Sequence, residues 1–215
     1  MDSSILTNRY QHPAPNLLAQ IGTLAATTKD AIDLSIGDPD FKTPDAVIDA
    51  AFAKTKAGMT HYTEASGLPE LRAAIQTYYQ SKYQLSFTIP QIRVTVGASH
   101  ALFIALAALI NPGDEVIVPE PCFSPYPEEV KVVGGVPVML DTRPEEGFAI
   151  KPADVAKLIT DKTKAIIINT PNNPTGNVMD PADAQQLAQL AQERGIFIMA
   201  DEVYSDFLLG DHQFT

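Results

Sequence analysis

The sequence is short of several residue types, and the shortages of cysteine and of basic residues narrow the class of protein. Among its 215 residues there is no tryptophan and there is one cysteine, Cys122. A lone cysteine cannot form an internal disulfide, which agrees with a reducing compartment. Basic residues are also few, since 15 Lys and Arg stand against 26 Asp and Glu, for a formal net charge of -11. Because nucleic acids and anionic membranes attract proteins through basic patches, neither is an expected partner.

A long apolar run is missing as well. The first residues, MDSSILTNRYQHPAPN, lack the basic flank and the apolar stretch of a secretory signal. No later segment has the continuous apolar stretch that a membrane-spanning helix needs. The sequence therefore predicts a cytoplasmic protein whose partner is a small molecule or another protein.

From Asp45 onward, the sequence alternates short β-branched runs with longer amphipathic runs. This alternation is typical of a mostly parallel sheet with helices on both faces, so the predicted fold class is α/β. The proline-rich residues ahead of Asp45 are interpreted as an irregular arm and a loop over a site. The predicted helices lie within 43–58, 66–83, 99–110, 152–160 and 180–195. The predicted strands are Ile92–Val96, Glu115–Pro119, Val136–Asp141, Ala165–Asn169 and Ile196–Ala200.

Open parallel sheets bind ligands outside the carboxyl ends of their strands, so the residues that follow each predicted strand are candidates for a site. The strand RVTV ends at Gly97, and the next helix starts with Ala98 and Ser99. A helix N-terminus presents unpaired N–H groups and a partial positive charge, so this junction predicts a phosphate cradle. Two alternatives stay open: an N-capping serine in an ordinary turn, and a nucleophile elbow with Ser99 as the nucleophile.

Two further strand ends carry polar residues. Asn173 lies in NNPTG, where its amide can donate to a phenolate oxygen without taking up charge, although such a cluster is also an ordinary turn. Asp201 and Glu202 end the last strand, and Tyr204 follows. A carboxylate at the end of a buried strand needs a partner, which a protonated ring nitrogen would supply. A metal ion is the alternative, but the sequence has no HExxH motif, no clustered cysteines and no evenly spaced carboxylates.

Six sequence blocks together resemble the successive signatures of the class I/II, fold-type I aminotransferases, which use pyridoxal 5'-phosphate. The blocks are LSIGDPDFKTP, HYTEASGLPELRAAI, TVGASHALF, NPGDEVIVPEPCFSPYPE, NTPNNPTG and ADEVYSDF, in the family's order. The resemblance implies a homodimeric transaminase that moves an amino group between an amino acid and a 2-oxo acid. It also implies that 1–45 form an N-terminal arm with part of a small domain, and that 46–215 form the N-terminal portion of the cofactor-binding large domain.

The resemblance assigns roles to individual positions. Asp201 would pair with the ring nitrogen of the cofactor, and Asn173 and Tyr204 would hydrogen-bond its O3′ oxygen. Phe123 would stack on the pyridine ring. The remaining assignments are Ala98 and Ser99 for the cofactor phosphate, Tyr62 for the phosphate of the neighbouring subunit, and Gly37 for the substrate carboxylate.

The resemblance also implies residues that this sequence does not contain. In the family, a lysine that holds the cofactor covalently and two arginines that bind phosphate and substrate follow the ADEVYSDF block. None of the lysines present lies in a matching motif, so no catalytic residue is assigned. The family's last two strands follow this block too. We therefore expect the strand Ile92–Val96 to lack both sheet neighbours and the polypeptide to be poorly stable.

Three other functions stay open. The same scaffold carries β-lyases that also use pyridoxal phosphate. A non-catalytic fragment that dimerises or binds a partner is a second possibility. A serine hydrolase that uses Ser99 is a remote third, because it would need an acid and His212 from later strand ends.

Overall fold

A computed structural model describes residues 5–7, 11, 17–32, 35, 37 and 40–210 of the chain. The polypeptide separates into two compact units, Met1–Tyr62 and Thr63–Thr215. The predicted division into an arm and a large domain at residue 45 stays a prediction. None of the helices among the described residues is both long and apolar enough to cross a bilayer.

In the described part of the N-terminal unit lie the helices α1 (Leu17–Thr27) and α2 (Asp45–Lys56). Helix α2 was predicted, and it has Asp45 in its first turn and Lys54 and Lys56 in its last, as the helix dipole favours. The interpretation of the segment before Asp45 as irregular is wrong for α1. Its sequence, LLAQIGTLAAT, contains no proline and is rich in the strong helix formers Leu and Ala.

The C-terminal unit is built on a four-stranded sheet, which confirms four of the five predicted strands. Its strands are β1 (Glu115–Glu120), β2 (Val136–Asp141), β3 (Thr163–Asn169) and β4 (Phe197–Asp201). The strand order is β2-β1-β3-β4, and every pair is parallel. In the β3–β4 register Asn169 is the partner of Asp201, so these two residues lie side by side at the carboxyl edge of the sheet.

Five helices accompany the sheet: α3 (Pro69–Tyr83), α4 (Gly97–Leu109), α5 (Pro125–Val132), α6 (Pro152–Leu158) and α7 (Pro181–Arg194). Four of them begin with proline, whose missing N–H costs nothing in the first turn. Short 3-10 turns lie at Ile89–Gln91 and Pro144–Glu146. Helix α5 was not predicted. Its sequence, PYPEEVKV, has two prolines in eight residues and shows little helical periodicity.

Helices cover both faces of the sheet, as the sequence predicts. One apolar cluster joins α4 and α5 to β1, β3 and β4. The other joins α6 and α7 to β1, β2 and β3 on the opposite face. Successive side chains of a strand point to opposite faces, so Val116 and Val118 belong to the first cluster and Ile117 to the second.

The predicted strand Ile92–Val96 is not a strand in the structure. Ile92 has extended dihedral angles, φ -105 and ψ 124, but no described strand pairs with this segment. The guanidinium of Arg72 on α3 donates instead to the carbonyl of Ile92, at 3.0 Å, and to that of Ile89, at 2.5 Å. The Val94 amide donates to the carbonyl of Ser66 at 2.9 Å. Residue preference predicted a strand here, but a strand also requires a neighbouring strand. The expected lack of sheet neighbours holds among the described strands.

Candidate functional site

A small cleft opens at the carboxyl edge of the sheet, between the ends of β3 and β4 and the first turns of α4 and α5. Its volume is about 200 Å³. Six residues that the sequence singled out line it together: Ala98, Ser99, Phe123, Asn173, Asp201 and Tyr204. The structure thus brings these side chains to one place, while their individual roles stay predictions.

Asp201 is the buried charge of the cleft. It ends strand β4 and is 9% exposed. Its Oδ2 accepts a hydrogen bond from the Tyr126 hydroxyl at 2.8 Å, and its Oδ1 accepts one from the Val203 amide at 3.1 Å. Two neutral donors therefore fix the orientation of the carboxylate. Its charge has no cationic partner among the described residues.

Tyr126 is a site residue that the sequence analysis missed. It lies in the first turn of α5, directly beyond the carboxyl end of β1, and is 3% exposed. Burial, and then the hydrogen bond to Asp201 and the charge of that residue, raise the pKa of Tyr126. Its ring meets Phe123 edge to face, with 5.5 Å between the ring centroids. The available signal was its position, because Tyr126 follows Phe123 by three residues in the PCFSPYPE block.

A series of hydrogen bonds positions the side-chain amide of Asn173 at the cleft. Asn169, at the end of β3, donates from its amide to the carbonyl oxygen of Asp201 at 2.9 Å. Its Oδ1 accepts from the backbone N–H of Asn173 at 2.7 Å. The side-chain amide of Asn173 donates in turn to the hydroxyl of Tyr204 at 3.3 Å. Asn169 was not predicted as a site residue, although its place at a strand end was the same signal that identified Asn173.

The first turn of α4 presents backbone donors to the same cleft. The helix begins at Gly97, whose φ of 78 suits glycine, and no side chain caps its N-terminus. The N–H groups of a first turn have no partner within the helix, so those at Ala98 and Ser99 remain able to bind an anion. The Ser99 hydroxyl makes no hydrogen bond to a histidine or an acid in the described part of the chain. The nucleophile elbow therefore gains no support, and His212 lies outside the described residues.

Asp201 also influences two neighbouring acids, Glu202 and Glu129. Burial, and then the charge of Asp201, raise the pKa of Glu202. The same two causes raise the pKa of Glu129 on α5, and its Oε2 is buried without a hydrogen bond. Because Asp201 disfavours a second negative charge nearby, a cationic group in the cleft would be stabilised. The arrangement thus suits a ligand with an anionic end at α4 and a cationic group at Asp201.

The other two predicted site residues belong to the N-terminal unit. Gly37 is exposed, and an added Cβ would meet nothing within 4 Å. Tyr62 is fully exposed, with a relative accessibility of 106%. Their assignment to a substrate carboxylate and to a neighbouring subunit's phosphate stays a prediction.

Comparison with known proteins identifies the family of this chain. The family model "Aminotransferase class I and II" matches residues 29–215. A probable aspartate/prephenate aminotransferase of Aquifex aeolicus is 39% identical over 214 residues, which are 98% of this chain and 54% of that protein. An aspartate aminotransferase of Bacillus sp. (strain YM-2) is 40% identical, over 95% of this chain and 53% of that protein.

Solved structures give the same result. The aspartate aminotransferase of Thermus thermophilus, solved with maleate, has a TM-score of 0.91 and 39% identity. The match covers 98% of this chain and 56% of that chain. These matches confirm the predicted α/β fold class and the resemblance drawn from the sequence blocks. This chain spans about half the length of the relatives that it matches, and it belongs to the aminotransferase class I and II family.

Proposed function

We propose that this polypeptide is the N-terminal half of a transaminase that uses pyridoxal 5'-phosphate to move an amino group between an amino acid and a 2-oxo acid. The observation that carries the proposal is Asp201, a buried carboxylate at a strand end with no cationic partner among the described residues. It shares one cleft with the amide of Asn173, the hydroxyl of Tyr204 and the uncapped start of α4. Family membership supports this interpretation.

The residues of the cleft fit the chemical groups of this cofactor. The backbone donors at Ala98 and Ser99 suit its phosphate, because a helix N-terminus combines free N–H groups with a partial positive charge. The carboxylate of Asp201 suits its protonated ring nitrogen. Asn173 and Tyr204 carry donors for its O3′ oxygen, and Phe123 offers an aromatic face or edge to the ring.

Pyridoxal phosphate, when bound, supplies an electron sink for the negative charge that develops at the α-carbon of an amino acid. Asp201 would hold the proton on the ring nitrogen, which keeps that sink effective. Tyr126 and the Val203 amide keep the Asp201 carboxylate in one orientation. The side chains of Asn173 and Tyr204 would orient the O3′ oxygen. No residue of this chain is assigned the transfer of the substrate's α-proton.

The substrate and the assembly are also part of the proposal. The relatives above are named for aspartate, or for aspartate and prephenate. We therefore infer that the complete enzyme acts on an amino acid of the aspartate class. It would work as a homodimer in which Tyr62 reaches the partner's phosphate and the N–H of Gly37 binds the substrate carboxylate. Sedimentation of the complete protein tests this point, and a fully active monomer would refute it.

Binding of pyridoxal phosphate by this chain tests the site. Titration is followed through the absorbance of the cofactor, for the unchanged chain and for the variants Asp201→Asn and Asp141→Asn. Asp141 is a matched control because it is also an acid at the carboxyl end of a strand, β2, but is exposed. We expect Asp201→Asn to weaken binding at least about tenfold, as loss of a charge-assisted hydrogen bond predicts. Equal affinities for the two variants would contradict the assignment.

The reaction type needs the complete enzyme. A transaminase converts an added 2-oxo acid to the matching amino acid without releasing ammonia. Release of the β-substituent, ammonia and a 2-oxo acid from a single amino acid would instead identify the β-lyase alternative. Absence of both reactions in a protein that binds the cofactor would favour a non-catalytic role.

A further inference from the structure

The turn that carries Tyr204 is poorly held by packing. This turn, residues 203–206, directly follows Glu202. Its internal bonds run from the Ser205 amide to the Glu202 carbonyl, at 3.0 Å, and from the Phe207 amide to the Tyr204 carbonyl, at 2.8 Å. Val203 is 50% exposed and Phe207 is 64% exposed. At the cleft, the Tyr204 hydroxyl is bound by Asn173 at 3.3 Å, which is long for a hydrogen bond.

Polar contacts with helix α3 restrain this turn. The ammonium group of Lys82, in the last turn of α3, forms a close ion pair with the carboxylate of Asp206. It also donates to the Tyr78 hydroxyl at 2.8 Å, and that hydroxyl lies 3.5 Å from the second carboxylate oxygen of Asp206. The nitrogen lies 5.1 Å from the ring centroid of Tyr78 and 5.3 Å from that of Tyr83. We call Lys82, Tyr78 and Asp206 the α3 clamp.

The clamp joins residues that are distant in the sequence. Lys82 and Asp206 are 124 positions apart, and Asp206 is in the same turn as Tyr204. The hydrogen bonds to Asp206 and then to Tyr78 raise the pKa of Lys82, so the ammonium group stays charged at neutral and mildly alkaline pH. Two rings and a carboxylate thus restrict one long side chain, which would otherwise be free to move.

We propose that Lys82 is a positioning residue that, through Asp206, holds the Tyr204 hydroxyl towards the cleft. The proposal rests on the proposed function, because the group that Tyr204 would bind is the O3′ oxygen of pyridoxal phosphate. Asp206 follows Tyr204 by two residues in a tight turn, so fixing its carboxylate to α3 also limits the rotation of the Tyr204 backbone. Without the clamp, the turn would keep its own backbone bonds but lose its link to α3.

A positioning role differs from a general structural role in its effect on global stability. An exposed ion pair contributes little to global stability, because solvent screens it and two side chains lose freedom. Removing Lys82 should therefore leave the unfolding transition almost unchanged. The local order of the turn should fall, and so should every property of the cofactor that depends on the Tyr204 hydroxyl.

The experiment compares Lys82→Met with Lys157→Met in the chain loaded with pyridoxal phosphate. Lys157 is a matched control, since it forms an exposed ion pair with Asp154 at 2.6 Å on α6. We expect Lys82→Met to weaken cofactor binding about threefold to tenfold, as the loss of one hydrogen bond predicts. It should also raise the midpoint pH of the cofactor's spectral titration, because Tyr204 would stabilise the deprotonated O3′ oxygen. Lys157→Met should change neither property.

Two further variants decide whether Lys82 acts through Tyr204. In a Tyr204→Phe background, Lys82→Met should have no additional effect on the titration midpoint, because the hydroxyl that it positions is gone. The exchanged pair Lys82→Asp with Asp206→Lys should restore most of the binding. An effect of Lys82→Met that persists in the Tyr204→Phe background would overturn the proposal, as would a result equal to that of Lys157→Met.

A measurement without cofactor tests the α3 clamp independently of the proposed function. Amide hydrogen exchange of residues 203–207 should be faster in Lys82→Met than in the unchanged chain, and Lys157→Met should leave it unchanged. If the unchanged chain bound no pyridoxal phosphate, the proposed function would fail while this measurement still decided whether the clamp orders the turn. Unchanged exchange in Lys82→Met would refute the clamp itself.

Discussion

Replacing Tyr126 by phenylalanine removes one hydroxyl group from the most buried part of the candidate site. The ring would remain in place against Phe123, whose ring centroid is 5.5 Å away. The hydrogen bond from the hydroxyl to Oδ2 of Asp201, 2.8 Å long, would be lost. Tyr126 is 3% exposed and Asp201 is 9% exposed, so water has little room to replace the lost donor. The variant therefore isolates one buried hydrogen bond to a carboxylate.

The size of the effect follows from that geometry. A hydrogen bond to a charged group contributes about 1.5 to 3 kcal/mol, and an acceptor left buried without its donor costs a similar amount. We expect the free energy of unfolding to fall by about 2 kcal/mol. With a urea dependence of about 2 kcal/mol per molar, the unfolding midpoint should fall by about 1 M.

Urea unfolding followed by circular dichroism measures the change, with Tyr79→Phe as the matched control. Tyr79 is half-buried and its hydroxyl makes no hydrogen bond in the described part of the chain. Loss of the Tyr79 hydroxyl should alter the free energy of unfolding by less than about 0.5 kcal/mol. If Tyr126→Phe and Tyr79→Phe lowered the unfolding free energy equally, the hydrogen bond to Asp201 would not be the stabilising contact that we infer.

The pH dependence gives a second check on the same variant. Burial and the bond to Asp201 raise the pKa of Tyr126 above its ordinary value of 10.0. Above that pH the unfolded chain loses the proton while the native chain keeps it, so native stability falls as pH rises. The advantage of the unchanged chain over Tyr126→Phe should thus be complete below about pH 10 and shrink above it. A difference that stays constant between about pH 9 and pH 11 would contradict this account.

Three further predictions concern the scaffold around the site. Gly67→Ala should lower the free energy of unfolding by more than about 2 kcal/mol, because a Cβ there would lie 2.5 Å from Cγ2 of Val94 at a φ of 103. Arg72→Met should lower the free energy of unfolding by about 2 to 4 kcal/mol, because the buried guanidinium donates hydrogen bonds to the carbonyls of Ile92 and Ile89. Asp180→Ala should cost about 1 kcal/mol, because this side chain caps the N-terminus of α7. Thermal or urea unfolding measures each change.

Controls for these predictions separate their causes. Gly58 has a φ of 93 but open space around an added Cβ, so Gly58→Ala measures the backbone strain without the clash. If Gly67→Ala lowered the free energy of unfolding no more than Gly58→Ala does, the side chain of Val94 would be able to move away from the added Cβ at little cost. Asp180→Asn keeps a capping oxygen, and it should retain most of the stability that Asp180→Ala loses.

Much of the sheet could be predicted because the local sequence is consistent with its tertiary position. The runs that became β1 and β3 are apolar nearly throughout, as is typical of strands covered on both faces. The segment Ile92–Val96 has the same residue preferences but pairs with no described strand. Pairing depends on which strand lies alongside, and the residues of one segment do not contain that information.

The helices that the sequence analysis missed show a second limit. In α5 two prolines disturb the periodic pattern, although proline in a first turn is compatible with a helix. In α1 the prolines that precede the helix suggested an irregular segment, whereas the eleven residues of the helix itself contain none. In both cases proline marked a helix start and was interpreted as a loop.

The sequence by itself determined the fold class, the family and six of the nine residues that line the cleft. Asp201 and Asn173 could be placed together because strand ends of a parallel sheet meet at one edge whatever the details of packing. Phe123 was identified through the resemblance to the family. Only the tertiary structure decided which groups orient those residues. Tyr126 meets Asp201 across 75 positions, and Lys82 meets Asp206 across 124. Each contact requires a helix to lie within a few ångströms of a distant segment, which is the end of β4 for Tyr126 and the turn after β4 for Lys82. Spacing along a chain does not fix that distance, whereas packing of the two apolar faces of the sheet does.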